Sequence, residues 1–367
     1  RHVQFPLGLL GAKAEVRYEP KGVVGILSPW NFPVNLSLGP LMQVFAAGNR
    51  AMIKPSEFTE KTSLLTKELI EEYFTPDECA VFTGGPEVAA AFSELPFDHL
   101  IFTGSTATGR RVMEAAAKNL VPVTLELGGK SAHIVCGDAD IDAAVESATM
   151  STVLNKGEVC LAGSRLFLHQ SIQDEFLAKF KTALEGIRQG DPLDMATQLG
   201  AQASKMQFDK VESYLRLATE EGAEVLTGGS RSDAADLADG NFIKPTVFTN
   251  VNNSMRIAQE EIFGPVTSVI TWSDEDDMMK QANNTTYGLA GGVWTKDIAR
   301  AHRIARKLET GTVWINRYYN LKANMPLGGY KQSGFGREFS HEVLNHYTQT
   351  KSVVVNLQEG RTGMFDQ

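Results

Sequence analysis

Apolar residues early in the chain fall into short runs, and each run is closed by proline or glycine. Residues 22–28 (Gly-Val-Val-Gly-Ile-Leu-Ser) end at Pro29, and 51–54 end at Pro55. Residues 80–83 end at Gly84-Gly85, 100–103 at Gly104, and 121–127 at Gly128-Gly129. Between them, residues 36–47, 60–73, 87–94 and 109–118 carry helical patterning. Short β-rich runs alternating with helices predict a doubly wound parallel sheet. Right-handed crossovers then place every loop that follows a strand on one edge, where ligands bind.

A second α/β region follows Gly129. Its strands are predicted at 132–136, 165–169, 246–251, 266–272, 291–295 and 312–316. Its helices are predicted at 140–155, 172–188, 204–221, 274–284 and 297–308. Alternation at 3–18 predicts a hairpin. The tail, 347–357, contains three consecutive valines in Ser352-Val353-Val354-Val355-Asn356 and reads as an exposed β segment. Such an edge invites pairing, and a second subunit is the expected partner.

Composition narrows the function. The chain has 367 residues, enough for two domains, and a net charge of −9. An acidic chain without a long Lys/Arg run argues against nucleic acid and anionic membrane as partners. No apolar run approaches the roughly 20 residues that span a bilayer. Cys79, Cys136 and Cys160 form neither a disulfide framework nor a C-x-x-C pair, so a cytoplasmic setting is expected. No secretory signal opens the chain, and its first residue is Arg1 rather than Met, as in a fragment or processed product. The seven histidines have no metal-ligand spacing, so no metal site is expected.

Chemistry-bearing candidates lie where strands end. Cys160 sits in a small-residue loop, 155–163, after a helix and before a strand. It is a candidate nucleophile, although lone cysteines are more often structural. No histidine stands beside it to signal a Cys/His hydrolase. Glu126 closes an apolar strand at a glycine pair. A carboxyl buried there has a raised pKa and can act as a general base; otherwise it is a strand residue facing solvent. Gly104-Ser105-Thr106-Ala107-Thr108-Gly109 links a strand to a helix, where phosphates meet helix N-termini, but it is equally a plain turn. Lys54-Pro55-Ser56-Glu57 follows a strand and puts an acidic group where ribose hydroxyls bind, or it starts a helix with Ser56 as N-cap. Pro29-Trp30-Asn31-Phe32-Pro33 fixes the Asn31 amide between two prolines, as a donor or as part of a turn.

Taken in order, these segments resemble the aldehyde dehydrogenase superfamily, along with Glu126 to Lys130, the Gly157-Glu158-Val159-Cys160 loop, 260–266 and 326–338. The resemblance covers essentially the whole chain. It implies a Rossmann-like doubly wound sheet for the cofactor, a second α/β catalytic domain and a small β oligomerisation element. The implied boundaries are 1–20 for an oligomerisation hairpin and 21–128 for NAD(P) binding. Catalysis takes 129–338, and the C-terminal segment with its oligomerisation strand takes 339–367. By the same resemblance, Cys160 is the nucleophile, Asn31 and the Cys160 backbone N–H form the oxyanion hole, and Glu126 activates water. The cofactor contacts are Trp30, Lys54, Ser56, Glu57, Gly104, Ser105, Gly109, Leu127, Gly128, Glu261 and Phe263. Val159, Leu161, Tyr318, Leu321 and Leu327 line the substrate tunnel, and Glu338 joins a proton relay. NAD, or NADP, is the implied cofactor, an aldehyde the substrate, and a homodimer or homotetramer the assembly.

Two features set the chain apart within the family. It opens at the hairpin, without the helices that usually precede it. The segment 34–38, before Gly39-Pro40, is shorter than in the hydrolytic retinal and acetaldehyde subfamilies, and the lysine they carry there has no counterpart. The front half resembles coniferyl aldehyde dehydrogenases and the back half the broad-specificity hydrolytic subfamilies, which points to an apolar or aromatic aldehyde. The competing readings are a CoA-acylating relative, which often lacks the carboxylate matching Glu126, and an inactive fragment or binding protein.

Overall fold

A computed structural model describes residues 12–322 and 324–357. Among these residues fifteen strands form three sheets. In chain order they are β1 (Ala12–Pro20), β2 (Val23–Leu27), β3 (Arg50–Lys54), β4 (Cys79–Val81), β5 (His99–Thr103), β6 (Val123–Glu126), β7 (Ala132–Val135) and β8 (Arg165–His169). They continue with β9 (Glu224–Thr227), β10 (Thr246–Thr249), β11 (Val266–Trp272), β12 (Ala290–Trp294), β13 (Thr312–Ile315), β14 (Gly334–Phe335) and β15 (Thr348–Asn356).

The first sheet has the order β14-β6-β5-β2-β3-β4. Its five early strands are parallel, as the alternation of runs and helices predicts. The winding reverses between β2 and β5, so a crevice opens beyond their carboxyl ends. Both faces are covered because successive residues point to opposite sides. Val24, Ile26 and Ile101 enter one core with Leu41, Val44 and Ile70. Leu100, Phe102 and Leu125 enter the other with Phe92, Phe97 and Val112. The second sheet has the order β13-β12-β7-β8-β11-β10-β9, parallel except for β9 at its edge. Ile134 and Phe167 pack on one face, and Val135, Leu166 and Leu168 on the other.

Several expectations change. The two shortest additions, β9 and β14, were not expected: β9 lies in a charged stretch, and β14 spans two residues beside glycine. Through β14, which pairs antiparallel with β6, the chain leaves the second sheet and rejoins the first before residue 338. Val343 and Tyr347 then bury in the first sheet's core. The helix expected at 109–118 starts earlier, as Thr106–Ala117, because the Ser105 hydroxyl caps it by accepting from Thr108 N at 3.2 Å. Thus residues 106–109 belong to the helix and not to a loop. Residues 3–11 of the expected hairpin lie outside the described residues. The strand that is described, β1, pairs antiparallel with the tail strand β15 of the same chain, from Ala12–Asn356 to Pro20–Thr348. Among the described residues no helix is long and apolar enough to cross a membrane.

Candidate active site

The crevice edge collects the candidates that follow the strands. Lys54, at the end of β3, is buried, and its Nζ lies 3.1 Å from Glu57 Oε2. Glu57 is partly open to solvent. The Ser56 hydroxyl accepts from Phe58 N at 3.3 Å and caps a short turn. Gly104 N donates to the Glu126 carbonyl at 3.0 Å, which brings the ends of β5 and β6 together. Gly104 and Ser105 lie at the N-terminus of helix Thr106–Ala117, whose exposed N–H groups suit phosphate. Gly109 has a different place from the one expected: it is buried inside that helix. A Cβ there would sit 2.6 Å from Leu127 Cδ2, so the glycine lets helix and strand end close together. Leu127 is core, held by Leu127 N donating to Ser333 O at 3.0 Å.

The Cys160 loop is built on unusual backbone. Asn155, Lys156 and Gly157 have φ of 47°, 62° and 72°, three left-handed residues in succession. A Cβ on Gly157 would come within 2.0 Å of Gly264 O, so only glycine fits. Six contacts hold this backbone. Tyr318 Oη donates to Leu161 O at 3.0 Å, and Gly163 N donates to Ser151 Oγ at 2.8 Å. The fully buried Glu158 pairs with Lys156 Nζ at 3.0 Å and accepts from Ala203 N at 2.9 Å. Finally, the Asn31 amide donates to Glu158 O at 3.0 Å, while the Asn31 backbone carbonyl accepts from Asn155 Nδ2 at 2.8 Å. One Asn31 N–H remains for a ligand.

Two carboxyls, Glu126 and Glu261, act on the Cys160 thiol, and a third, Glu338, acts on Glu126. Cys160 is half-buried, and its thiol is pushed up to about 12 by burial, then by Glu261 and Glu126. Glu126 is buried and held well above the usual carboxylate range by desolvation and by Glu338, against the pull of Arg337. Glu338 is raised to about 7, chiefly by burial. Glu261 accepts from Gly129 N at 2.9 Å, and a Cβ on Gly128 would lie 2.5 Å from its Oε2. Its carboxyl is raised by burial and lowered in part by Gly129, Lys210 and Lys130. Phe263 holds a left-handed φ of 61° and meets Trp30 edge-on at 5.4 Å. Gln207 Nε2 secures it by donating to Phe263 O at 2.6 Å.

An apolar cluster flanks the thiol. Val159, Leu161, Leu289, Trp314 and Tyr318 are buried, with Phe32, Tyr319 and Leu327 packed against them. Leu321 is exposed. Tyr318 does not stand open as a tunnel wall. It is 5% exposed, stacks on His133 at 4.8 Å and supports the loop from behind.

Sequence reasoning missed Lys210, Gln207, Glu158 and Tyr347, and gave Lys130 no role. Lys130 is fully buried and lowered to about 7, first by burial and then by Arg165. A lysine closing a strand-end glycine pair was the one available signal. Gln207 and Lys210 lie on one turn of helix Lys205–Glu220, and nothing local ties them to residue 261.

The fold and the crevice define a dinucleotide-type α/β enzyme with a thiol beside paired carboxyls. The chain belongs to the aldehyde dehydrogenase family, whose sequence signature matches residues 4–353, and it is an oxidoreductase acting on aldehydes. It is 45% identical over 357 residues to acetaldehyde dehydrogenase 2 of Cupriavidus necator, covering 95% of this chain and 70% of that protein. A structure of betaine aldehyde dehydrogenase from Staphylococcus aureus with NAD+ superposes with a TM-score of 0.95 at 38% identity, covering all of this chain and 73% of that one. The structure of PnpE with nicotinamide adenine dinucleotide gives 0.96 at 40%, covering all of this chain and 75% of that one.

Proposed function

We propose that this chain oxidises an aldehyde to a carboxylic acid with NAD+, through a thioester on Cys160. One observation carries the reading: the Cys160 thiol lies with Glu126 and Glu261 around it, beside the crevice of a doubly wound sheet. The residues present fit a dinucleotide. A twelve-residue helix offers its N-terminus at Gly104 and Ser105, Lys54 and Glu57 suit ribose hydroxyls, and Glu261 lies against the bare face of Gly128. Bound NAD+ supplies the hydride acceptor.

The protein groups supply the rest. Cys160 sulfur adds to the aldehyde carbon as its proton leaves for a base. Negative charge develops on the carbonyl oxygen, where Asn31 Nδ2 and the Cys160 N–H can donate to it. Loss of hydride from the adduct leaves a thioester. Water then attacks the thioester carbon, Glu126 takes the water proton, and the carboxylic acid leaves as the sulfur is reprotonated. A buried carboxyl at position 126 supports water over CoA as the acyl acceptor. The apolar surroundings of Val159, Leu161, Leu321 and Leu327 support an apolar or aromatic aldehyde.

Reduced-cofactor absorbance over a panel of aliphatic, amino and aromatic aldehydes tests this reading. NAD+ is expected to serve at least as well as NADP+, because the Glu57 carboxylate accepts from a 2′-hydroxyl and repels a 2′-phosphate. The expected preference in kcat/KM runs from parity to about tenfold. A strong preference for NADP+ would remove Glu57 from the ribose; no turnover with any aldehyde would remove the activity.

The assembly we propose is a dimer or a pair of dimers. The β1–β15 ribbon has no third strand among the described residues, and Val354 and Val355 are 67% and 44% exposed on it. Packing against a neighbouring subunit would cover those valines. Light scattering is expected to give a dimer or tetramer at micromolar concentration, and a smaller mass once the residues after Tyr347 are removed. An active monomer of the intact chain would overturn the proposal.

A further inference from the structure

Behind the site, Glu126, Glu338 and Tyr347 meet inside the first sheet. β6 ends at Glu126 and pairs with Gly334, four residues before Glu338. Tyr347 is fully buried, and its hydroxyl donates to Glu338 Oε1 at 3.0 Å. Glu338 Oε2 and Glu126 Oε1 are buried with no hydrogen-bond partner. The phenol itself is firmly placed: His99 meets its ring edge-on at 5.4 Å, and Asn49 Nδ2 donates to its backbone carbonyl at 2.8 Å. Arg337 is the cation that acts on Glu126, and Gln43 lies against Glu338. Beyond the ring, His99 is held neutral, at about 3, by burial, by Lys21 and by His346.

We propose that Tyr347 is a positioning residue that keeps the negative charge of the carboxyl pair on Glu338 and the shared proton on Glu126. The proposal rests on the reading of Cys160 as nucleophile and Glu126 as base. Two adjacent buried carboxyls do not both ionise readily, so between them they hold one proton. A donor aimed at one of them selects it as the anion. Tyr347 is that donor for Glu338, and its own proton is secure because burial and Glu338 raise the phenol well above its usual range.

The consequence reaches the thiol. Glu126 is one of the two carboxyls that oppose ionisation of Cys160. A neutral Glu126 therefore eases thiolate formation, and it must release its proton to solvent before it can take one from the hydrolytic water. Removing the hydroxyl moves the proton to Glu338 and the charge to Glu126. The thiol then becomes harder to ionise, and Glu126 becomes available as a base at lower pH.

The test is Tyr347→Phe, read in two ways. Without cofactor or aldehyde, the pH midpoint for Cys160 alkylation by iodoacetamide is expected to rise by about half a unit. In single-turnover experiments the acid limb of thioester hydrolysis is expected to fall by about one unit. Glu338→Gln alone should shift both profiles the same way, and adding Tyr347→Phe to it should shift them no further. Unmoved profiles in a folded Tyr347→Phe protein overturn the proposal. Equal shifts in the Glu338→Gln background also overturn it, because they mark a merely structural tyrosine. If Tyr347→Phe does not fold, the Glu338→Gln profiles decide alone: shifts in both expected directions support the charged Glu338, and none overturns it. Absence of a thioester in the native protein refutes the nucleophile reading instead, and this outcome is recognised separately because it does not depend on position 347.

Discussion

The Cys160→Ala variant is expected to lose aldehyde oxidation by on the order of 10^4-fold or more while still binding NAD+. No other described thiol can replace it: Cys79 and Cys136 are buried in the cores of the two large sheets, whereas Cys160 is half-buried beside the crevice. The cofactor-side candidates, Lys54, Glu57, Ser105 and Glu261, are untouched by the change. Steady-state NADH formation reads the first effect, and titration of cofactor by calorimetry reads the second. Native-like turnover in the variant would sink the nucleophile assignment. Loss of cofactor binding together with turnover would mean that the 155–163 loop had collapsed.

Glu126→Gln should separate the two halves of the reaction. The amide preserves the shape of the carboxyl at the end of β6 but cannot take a proton from water. A first-turnover burst of NADH is expected to persist, followed by steady turnover lower by about 10^2- to 10^4-fold. Stopped-flow absorbance resolves the burst from the slow phase. If added CoA accelerates native turnover and the variant keeps its steady rate, the acyl acceptor is CoA, and Glu126 is not the base.

Much of this was legible in the sequence for a local reason. A buried parallel strand is a short apolar run, and its exit is marked by glycine or proline, so β2, β3, β5 and β6 could be placed with the crevice beyond them. The loop around Cys160 was legible as small and glycine-flanked. Its three left-handed residues were not, because two of them are asparagine and lysine, held there by contacts with distant segments. Gly109 looked like a phosphate-loop glycine, since nothing in residues 104–109 says that the helix begins at Thr106. The serine cap does so only once hydrogen bonds are visible. The pairing of Glu126 with Glu338 joins residues far apart along the chain, and β14, which brings them together, is too short to carry a pattern. Tyr347 resembled an ordinary core aromatic ahead of an exposed strand.

The two asparagine contacts, Asn31 to Glu158 O and Asn155 to Asn31 O, run in opposite directions between the first sheet's loop and the thiol's loop. Each loop therefore takes part of its position from the other, beside the contacts within its own region. A tilt of one sheet against the other would be carried through both bonds to the sulfur's loop and the amide together. The alignment between sulfur and amide is thus insulated from the coarse motion of the molecule. The distance from the sulfur to anything lodged over Gly104 and Ser105 depends on other bonds, Gly129 N to Glu261, Ser333 Oγ to Gly128 O and Thr106 Oγ1 to Gln332 O. Of the two alignments the reaction needs, the one across the crevice is therefore expected to fail only as these bonds open.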